Sequence, residues 1–284
     1  MLATSNALQQ ESPSGLGIEP FSAIKTTLTR DSYYVKVQQS STKVMISTGY
    51  PRSSATKTTV IIDLEDSNVI CGDLEDFSME TEGAVGANVA SSPIICGGLV
   101  QNYYPINSSD KCLKYSKVWG WQNLTNMIES RYRAAGIVYN NALHIFGGQT
   151  YPISSILQSS EIVHEDGSSS EGPQLPSPIS SHAIASINVS VSIITGGRTN
   201  NNSYSDKTWY FNHASQEFQL GPNLLEGRRS HSSGTVTDQE TKEKNTIIAG
   251  GRSSSPLNST EMLVNGEWMT GKTQNHIFVH FCIP

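Results

Sequence analysis

Charge is scarce in this chain: Asp, Glu, Lys and Arg make up 15% of its 284 residues, where about a quarter is usual. No basic run is longer than Arg228-Arg229, and the formal net charge is −6. Nucleic acid and anionic membrane both need a concentrated basic footprint, so neither is an expected partner. Long apolar runs are missing too; nothing approaches the roughly 18 consecutive apolar residues that span a bilayer. The opening stretch from Met1 to Gln10 has no basic n-region and no apolar h-region. The chain as written is therefore expected in the cytosol, and secretion is expected only if it is a piece of a longer one. Also absent are a Gly-x-Ser-x-Gly elbow, a His-Glu-x-x-His pair, a Walker-type loop, a dinucleotide fingerprint and any amphipathic helix of ordinary length. Neither enzymatic activity nor a cofactor is expected.

Cysteine is sparse as well, with only Cys71, Cys96, Cys112 and Cys282. Cys96 ends one predicted strand and Cys112 begins the next, so the two could bridge neighbouring strands, a loop closure worth roughly 3 kcal/mol. In a reducing compartment they would instead be small buried hydrophobes, and both readings stay open. Sequons stand at Asn107, Asn123, Asn188, Asn201 and Asn258. A chain this rich in Ser and Thr yields about that many by chance, so they do not by themselves argue for secretion.

What the chain does have is a short apolar strand that stops on two glycines. It appears as Ser92-Pro93-Ile94-Ile95-Cys96-Gly97-Gly98, Asn141-Ala142-Leu143-His144-Ile145-Phe146-Gly147-Gly148, Ser192-Ile193-Ile194-Thr195-Gly196-Gly197 and Thr246-Ile247-Ile248-Ala249-Gly250-Gly251. A worn copy, Val44-Met45-Ile46-Ser47-Thr48-Gly49-Tyr50, precedes them. Spacing of about 50 residues marks one structural unit used five times. Within a unit, β-branched residues and period-2 alternation predict four short strands. Asn140-Asn141 and Asn265-Gly266 supply hairpin turns that need positive φ, and Glu165-Asp166-Gly167 another. Ser-Ser-Glu-Ile-Val (159–163) and Ser-Thr-Glu-Met-Leu-Val (259–264) are a second internal echo. Residues 1–30 read as a polar mobile tail, 31–272 as the repeat array and 273–284 as an atypical C-terminal tail with no glycine pair.

A double glycine after an apolar strand, an aromatic strand, and then a Trp or Phe before the next unit together resemble the kelch repeat. Arg228-Arg229-Ser230-His231 adds an Arg-x-x-His start to a unit. The resemblance implies an all-β, kelch-type β-propeller of four-stranded antiparallel blades. Radially arranged blades bury sheet faces against one another and leave only short edges. Kelch rings commonly have six blades or more, whereas five units are visible here. Either the ring has five blades or a six-bladed plan stops short, and the shortened plan is the expectation. An unclosed ring would offer a sheet edge for self-association.

Candidate chemistry is thin. His182 and His231 match in units four and five, with Arg133 in the corresponding place of unit three. They are read as core histidines, because no carboxylate or thiol is spaced with them as a metal site needs. Copper-radical oxidases share the propeller fold, yet their Tyr, Cys and His set is not assembled here. The loops after each second strand and the links between blades open on one face. Those loops carry Tyr50, Arg52, Tyr103, Tyr104, Tyr151, Arg198, Tyr204 and Arg252, and the links end at Arg131, Arg133, Arg228 and Arg229. Tyr and Arg are the residues that most often carry interface energy, and loops on rigid scaffolds are where sites sit. The expected function is a protein-interaction scaffold that binds a protein or peptide there. The alternative is a secreted or ectodomain fragment with a disulfide and glycans, acting in adhesion or surface recognition.

Overall fold

The computed structural model describes residues 35–38, 43–49, 56–63, 69–70, 76–101, 105–237 and 244–271. Both anticipated tails lie outside them, as do Tyr50, Arg52, Tyr103 and Tyr104. The described residues form strands and loops only. Blade 1 comprises β1 (Val35–Gln38), β2 (Lys43–Gly49), β3 (Thr56–Asp63) and β4 (Val69–Ile70). Blade 2 comprises β6 (Val85–Val89), β7 (Ser92–Cys96), β10 (Lys111–Ser116) and β11 (Gly120–Asn126). Two-residue strands β5 (Thr81–Glu82), β8 (Leu99–Val100) and β9 (Asn107–Ser108) lie at its end, and Thr81 of β5 pairs with Thr56 of blade 1. Blade 3 is β12 (Ala135–Tyr139), β13 (Ala142–Phe146), β14 (Ser160–His164) and β15 (Ser169–Glu171). Blade 4 is β16 (Ala183–Ser186), β17 (Val191–Thr195), β18 (Thr208–Asn212) and β19 (Glu217–Leu220). Blade 5 is β20 (Ser232–Thr237), β21 (Lys244–Ala249), β22 (Thr260–Val264) and β23 (Glu267–Thr270).

Each blade is an antiparallel meander. The turns follow from residues that tolerate positive φ: Asn140 and Asn141 (47° and 57°) between β12 and β13, Asn265 and Gly266 (51° and 83°) between β22 and β23. In the turn after β14, the Asp166 carboxylate accepts from the Ser168 N–H and hydroxyl at 2.8 and 2.7 Å.

The apolar cores lie between blades, because a sheet cannot bury a face against itself. Val85, Val89 and Ile94 of blade 2 pack on Leu143, Ile145 and Val163 of blade 3. Phe146 of blade 3 meets Ile194 and Phe211 of blade 4, with Phe146 and Phe211 ring centroids 5.1 Å apart. Ile193 of blade 4 packs with Ile248, Leu263 and Trp268 of blade 5. First strands β1, β6, β12, β16 and β20 follow one another side by side. No comparable contact joins β20 back to β1 among the described residues, so the sheets are not closed into a ring.

Glycine pairs make the seams. Gly98 N–H donates to Arg131 O (2.8 Å), Gly148 N–H to Ile179 O (2.9 Å) and Gly197 N–H to Arg228 O (2.7 Å), each acceptor lying on the link that enters the next blade. Gly147 (φ 56°) shows why no side chain fits: a Cβ there would lie 2.4 Å from Ile179 O. Replacing Gly147 by Ala is expected to lower stability by about 3 kcal/mol or more. Gly234→Ala, in a strand where an added Cβ meets nothing within 4 Å among the described residues, is expected to be neutral or slightly stabilising. Urea midpoints of the two variants measure the difference.

Candidate functional site

The loop-rich end is built on a repeated backbone rung. The residue after each glycine pair bridges to the incoming link on one side and to its own returning loop on the other. Gln149 lies between Tyr132 and Ile156, Arg198 between Ser180 and Tyr204, and Arg252 between Arg229 and Pro256. In blade 2, β8 plays this part between β5 and β9. One residue further along each link, a belt of hydrogen bonds runs from blade to blade. Arg133 N–H donates to Gly83 O (2.7 Å), Ser181 N–H to Arg133 O (2.8 Å) and Ser230 N–H to Ser181 O (2.7 Å). Each of these link residues takes positive φ, 64° at Gly83, 55° at Arg133, 54° at Ser181 and 53° at Ser230.

This belt corrects one correspondence. Arg133 matches Ser181 and Ser230, whereas the counterpart of His182 and His231 in blade 3 is Ala134, the residue before β12. The two histidines point into the seams and are buried. The His231 Nε2 pairs with the Thr195 hydroxyl at 2.8 Å, while neither ring nitrogen of His182 has a hydrogen-bond partner among the described residues. Burial pushes the His182 imidazole down to about 4. It pushes His231 down to about 3, with Arg228 and His182 adding to the effect. Among the described residues no group of three or more His, Cys, Asp or Glu could hold a metal.

Arg131 and Arg228 turn out to lie inside the protein, each only 1% exposed. Arg131 donates to Gly147 O (2.8 Å) and Ser159 O (3.2 Å) and pairs with the Glu161 carboxylate. Arg228 repeats this on Gly250 O (2.9 Å), Ser259 O (3.3 Å) and Glu261. The carboxylates also accept backbone N–H bonds from the links: Ile128 (2.6 Å) and Glu129 (3.0 Å) on Glu161, Leu225 (2.8 Å) on Glu261. Each pair therefore ties a link to the second and third strands of the blade it enters. The shared Ser-Ser-Glu and Ser-Thr-Glu segments, together with an Arg at the same place in both links, were the sequence signal for them. Blade 4 uses apolar residues at these positions, Ile179 buried and Trp209 packed beside it.

Of the loop residues that fall within the described chain, Tyr151 is 38% exposed, and Ser108 N–H donates to its carbonyl. The Arg198 Nε donates to Asn202 Oδ1 at 2.6 Å. Arg252 is exposed and Tyr204 half-buried. The Arg229 guanidinium lies over the Tyr204 ring, 5.5 Å from its centroid. Arg198, Tyr204, Arg229 and Arg252 are thus linked side by side across blades 4 and 5 through two bridges and one cation–π contact. Around blade 3, Arg133 lies 5.2 Å from the Tyr132 ring centroid and 3.7 Å from the Glu82 carboxylate, whose pKa burial raises and Arg133 draws back down. Cys96 and Cys112 are direct partners across β7 and β10, and their sulfurs form a disulfide.

At the opposite end of the sheets, Tyr139 stacks on His213 with centroids 4.5 Å apart, and His144 meets both rings edge-on. The Ser192 hydroxyl pairs with His213 Nε2 at 2.8 Å. Burial, then His213 and His164, push His144 down to about 4. Sequence reading missed this cluster, because its rings come from β12, β13 and the turn after β18, in two blades.

Five four-stranded antiparallel sheets with their cores between them define an all-β, propeller-like fold. The solved structure of YjhT is similar to it: TM-score 0.72, 12% sequence identity, 85% of this chain covered and 83% of that one. At that identity the likeness concerns the fold alone. No protein-family profile matches the chain, and no curated protein matches it in sequence.

Breaking one buried ion pair strands the other charge, so Arg131→Ala is expected to cost about 3–5 kcal/mol. Arg131→Ile combined with Glu161→Trp, copying blade 4, is expected to cost less than either single change. A double-mutant cycle in urea measures the coupling.

Proposed function

We propose that the protein is a non-enzymatic interaction scaffold of the kelch type, which holds a protein or peptide on its loop-rich end. The contiguous Arg198, Tyr204, Arg229 and Arg252 cluster carries this reading. Tyr and Arg concentrate interface energy because they combine large contact area with polar tips. Here they stand on rungs whose backbone is fixed by hydrogen bonds on both sides, so little freedom is lost on binding. One guanidinium over the Tyr204 ring, with two more arginines on the adjoining rungs, favours a partner that presents carboxylates. Replacing Arg198, Tyr204 and Arg252 together by Ala is expected to remove the partners recovered by affinity pull-down while leaving the far-UV circular dichroism unchanged. An unaltered set of partners on an intact fold rejects this end as the site.

A second reading has its own observations. The Cys96–Cys112 disulfide suits an oxidising compartment, and Asn107, Asn123, Asn188, Asn201 and Asn258 are all exposed, as glycan acceptors must be. In this reading the scaffold acts outside the cell in adhesion or surface recognition. Mass spectrometry of the non-reduced protein from its native source is then expected to show the disulfide and at least one glycan. Free thiols and bare asparagines dispose of it.

A further inference from the structure

Four of the chain's seven histidines are buried, none of them more than 7% exposed, and all four lie where blade 4 meets its neighbours. At the glycine end, His182 lays its ring against Gly147 of blade 3, with Cε1 3.2 Å from a Cβ built there. His231, entering blade 5, does the same against Gly196 of blade 4, at 2.7 Å. At the opposite end, His144 of blade 3 meets His213 of blade 4 edge-on, ring centroids 5.4 Å apart, and Tyr139 stacks on His213. The seam between blades 3 and 4 therefore has imidazoles at both ends. The seam between blades 2 and 3 has Ala134 in the place of His182.

These seats suit a neutral ring. An imidazolium donates from both nitrogens. Among the described residues, neither nitrogen of His182 has a partner, nor has Nδ1 of His144, His213 or His231. The Ser192 and Thr195 hydroxyls meet only the Nε2 of His213 and of His231. No carboxylate pairs with any of the four rings among the described residues. His213, His164 and Tyr139 face His144, and His144 and Tyr139 face His213. Arg228 and His182 act on His231, and His182 sits between Gly147 and Gly197. All of these groups are neutral or cationic, so a proton on any of the rings gains no counter-charge and leaves a buried donor unpaired.

We propose that the two seams flanking blade 4 form an acid-sensitive switch: protonation of His144, His182, His213 and His231 opens them, while the seam between blades 2 and 3 stays shut. The Arg198, Tyr204, Arg229 and Arg252 cluster spans the seam between blades 4 and 5, so its two halves come apart when that seam opens. In the open form an imidazole takes its proton near the ordinary 6.5, whereas in the closed seam it does so only near 4 at His144 and His182, or 3 at His231. The seams are therefore at full strength above about pH 6.5 and weaken as the pH falls from there towards 4. Each ring that opening exposes multiplies the open population about twenty-fold between pH 7 and pH 5.

Amide hydrogen exchange on the full chain, followed by NMR at pH 7 and pH 5, tests the switch, with rates expressed as protection factors so that the chemical effect of pH cancels. Gly148 and Gly197 N–H close the seams on either side of blade 4, and Gly98 N–H closes the seam between blades 2 and 3. Protection of Gly148 and Gly197 is expected to fall about twenty-fold or more on going to pH 5, and that of Gly98 clearly less. No fall at either Gly148 or Gly197, or an equal fall at all three glycines, overturns the proposal. His182→Leu is expected to reduce the fall at Gly148 by the share of one ring, about twenty-fold; an undiminished fall overturns it as well. Should that substitution unfold the protein, His144→Leu makes the same test from the opposite end of the seam.

Discussion

At the seams that follow blades 2, 3 and 4, a backbone carbonyl from one blade rests where the side chain of the preceding blade's first glycine would be, and it accepts a hydrogen bond from the second. This approach sets how near two sheets come at one end, and so which side chains can fill the wedge between them. Phe146, Ile194 and Phe211, or Ile193, Ile248 and Trp268, fill it completely. The rungs and the belt follow from the same constraint, because the link that supplies the carbonyl is held in register with the residue just past the glycines. A substitution at a glycine therefore acts on the backbone of two blades at once, which a cavity in the apolar wedge does not.

Behind the seams, two chemistries serve one purpose. Blades 3 and 5 tie the incoming link to the second and third strands through Arg131–Glu161 and Arg228–Glu261, and blade 4 uses Ile179 beside Trp209. The ion pairs are tolerable in the interior because each guanidinium also reaches two carbonyls, and link N–H groups donate to the carboxylates, two to Glu161 and one to Glu261. A pair lacking those partners would not recover the cost of desolvating two charges. The apolar version needs no such network: side-chain packing stands in for the ion pair, while the backbone hydrogen bonds of the link stay the same in kind.

The architecture was legible wherever a local rule fixes the backbone. Glycine pairs, Asn140-Asn141 and Asn265-Gly266 state their conformation in adjacent residues, and four-stranded meanders follow from the strands between them. Cys96 and Cys112 were readable as neighbours for the same reason. What depended on partners about thirty residues away was harder to read. Arg131 and Arg228 resemble surface arginines in sequence, and only Glu161 and Glu261 make them internal. The place of His182 was matched to Arg133 instead of Ala134, because aligning residue types overlooks a shift of one that the belt makes plain. On the loop-rich end, the sequence picked out Arg198, Tyr204 and Arg252 singly. Their joining through Arg229 is a matter of three-dimensional register.

The belt from Gly83 to Ser230 has a direction. Each blade donates to the one made before it, and each glycine amide waits for a carbonyl that lies some thirty residues later in the chain. During synthesis from the N-terminus, a blade can pair its own strands as soon as they emerge, but its glycine amide stays unsatisfied until the next link has left the ribosome. The growing end of the array is therefore always its least stable part, and stability advances along the chain one seam at a time. Interruption of synthesis at any point would leave finished seams intact and one glycine pair bare, so a fragment's weakness would be confined to its last blade.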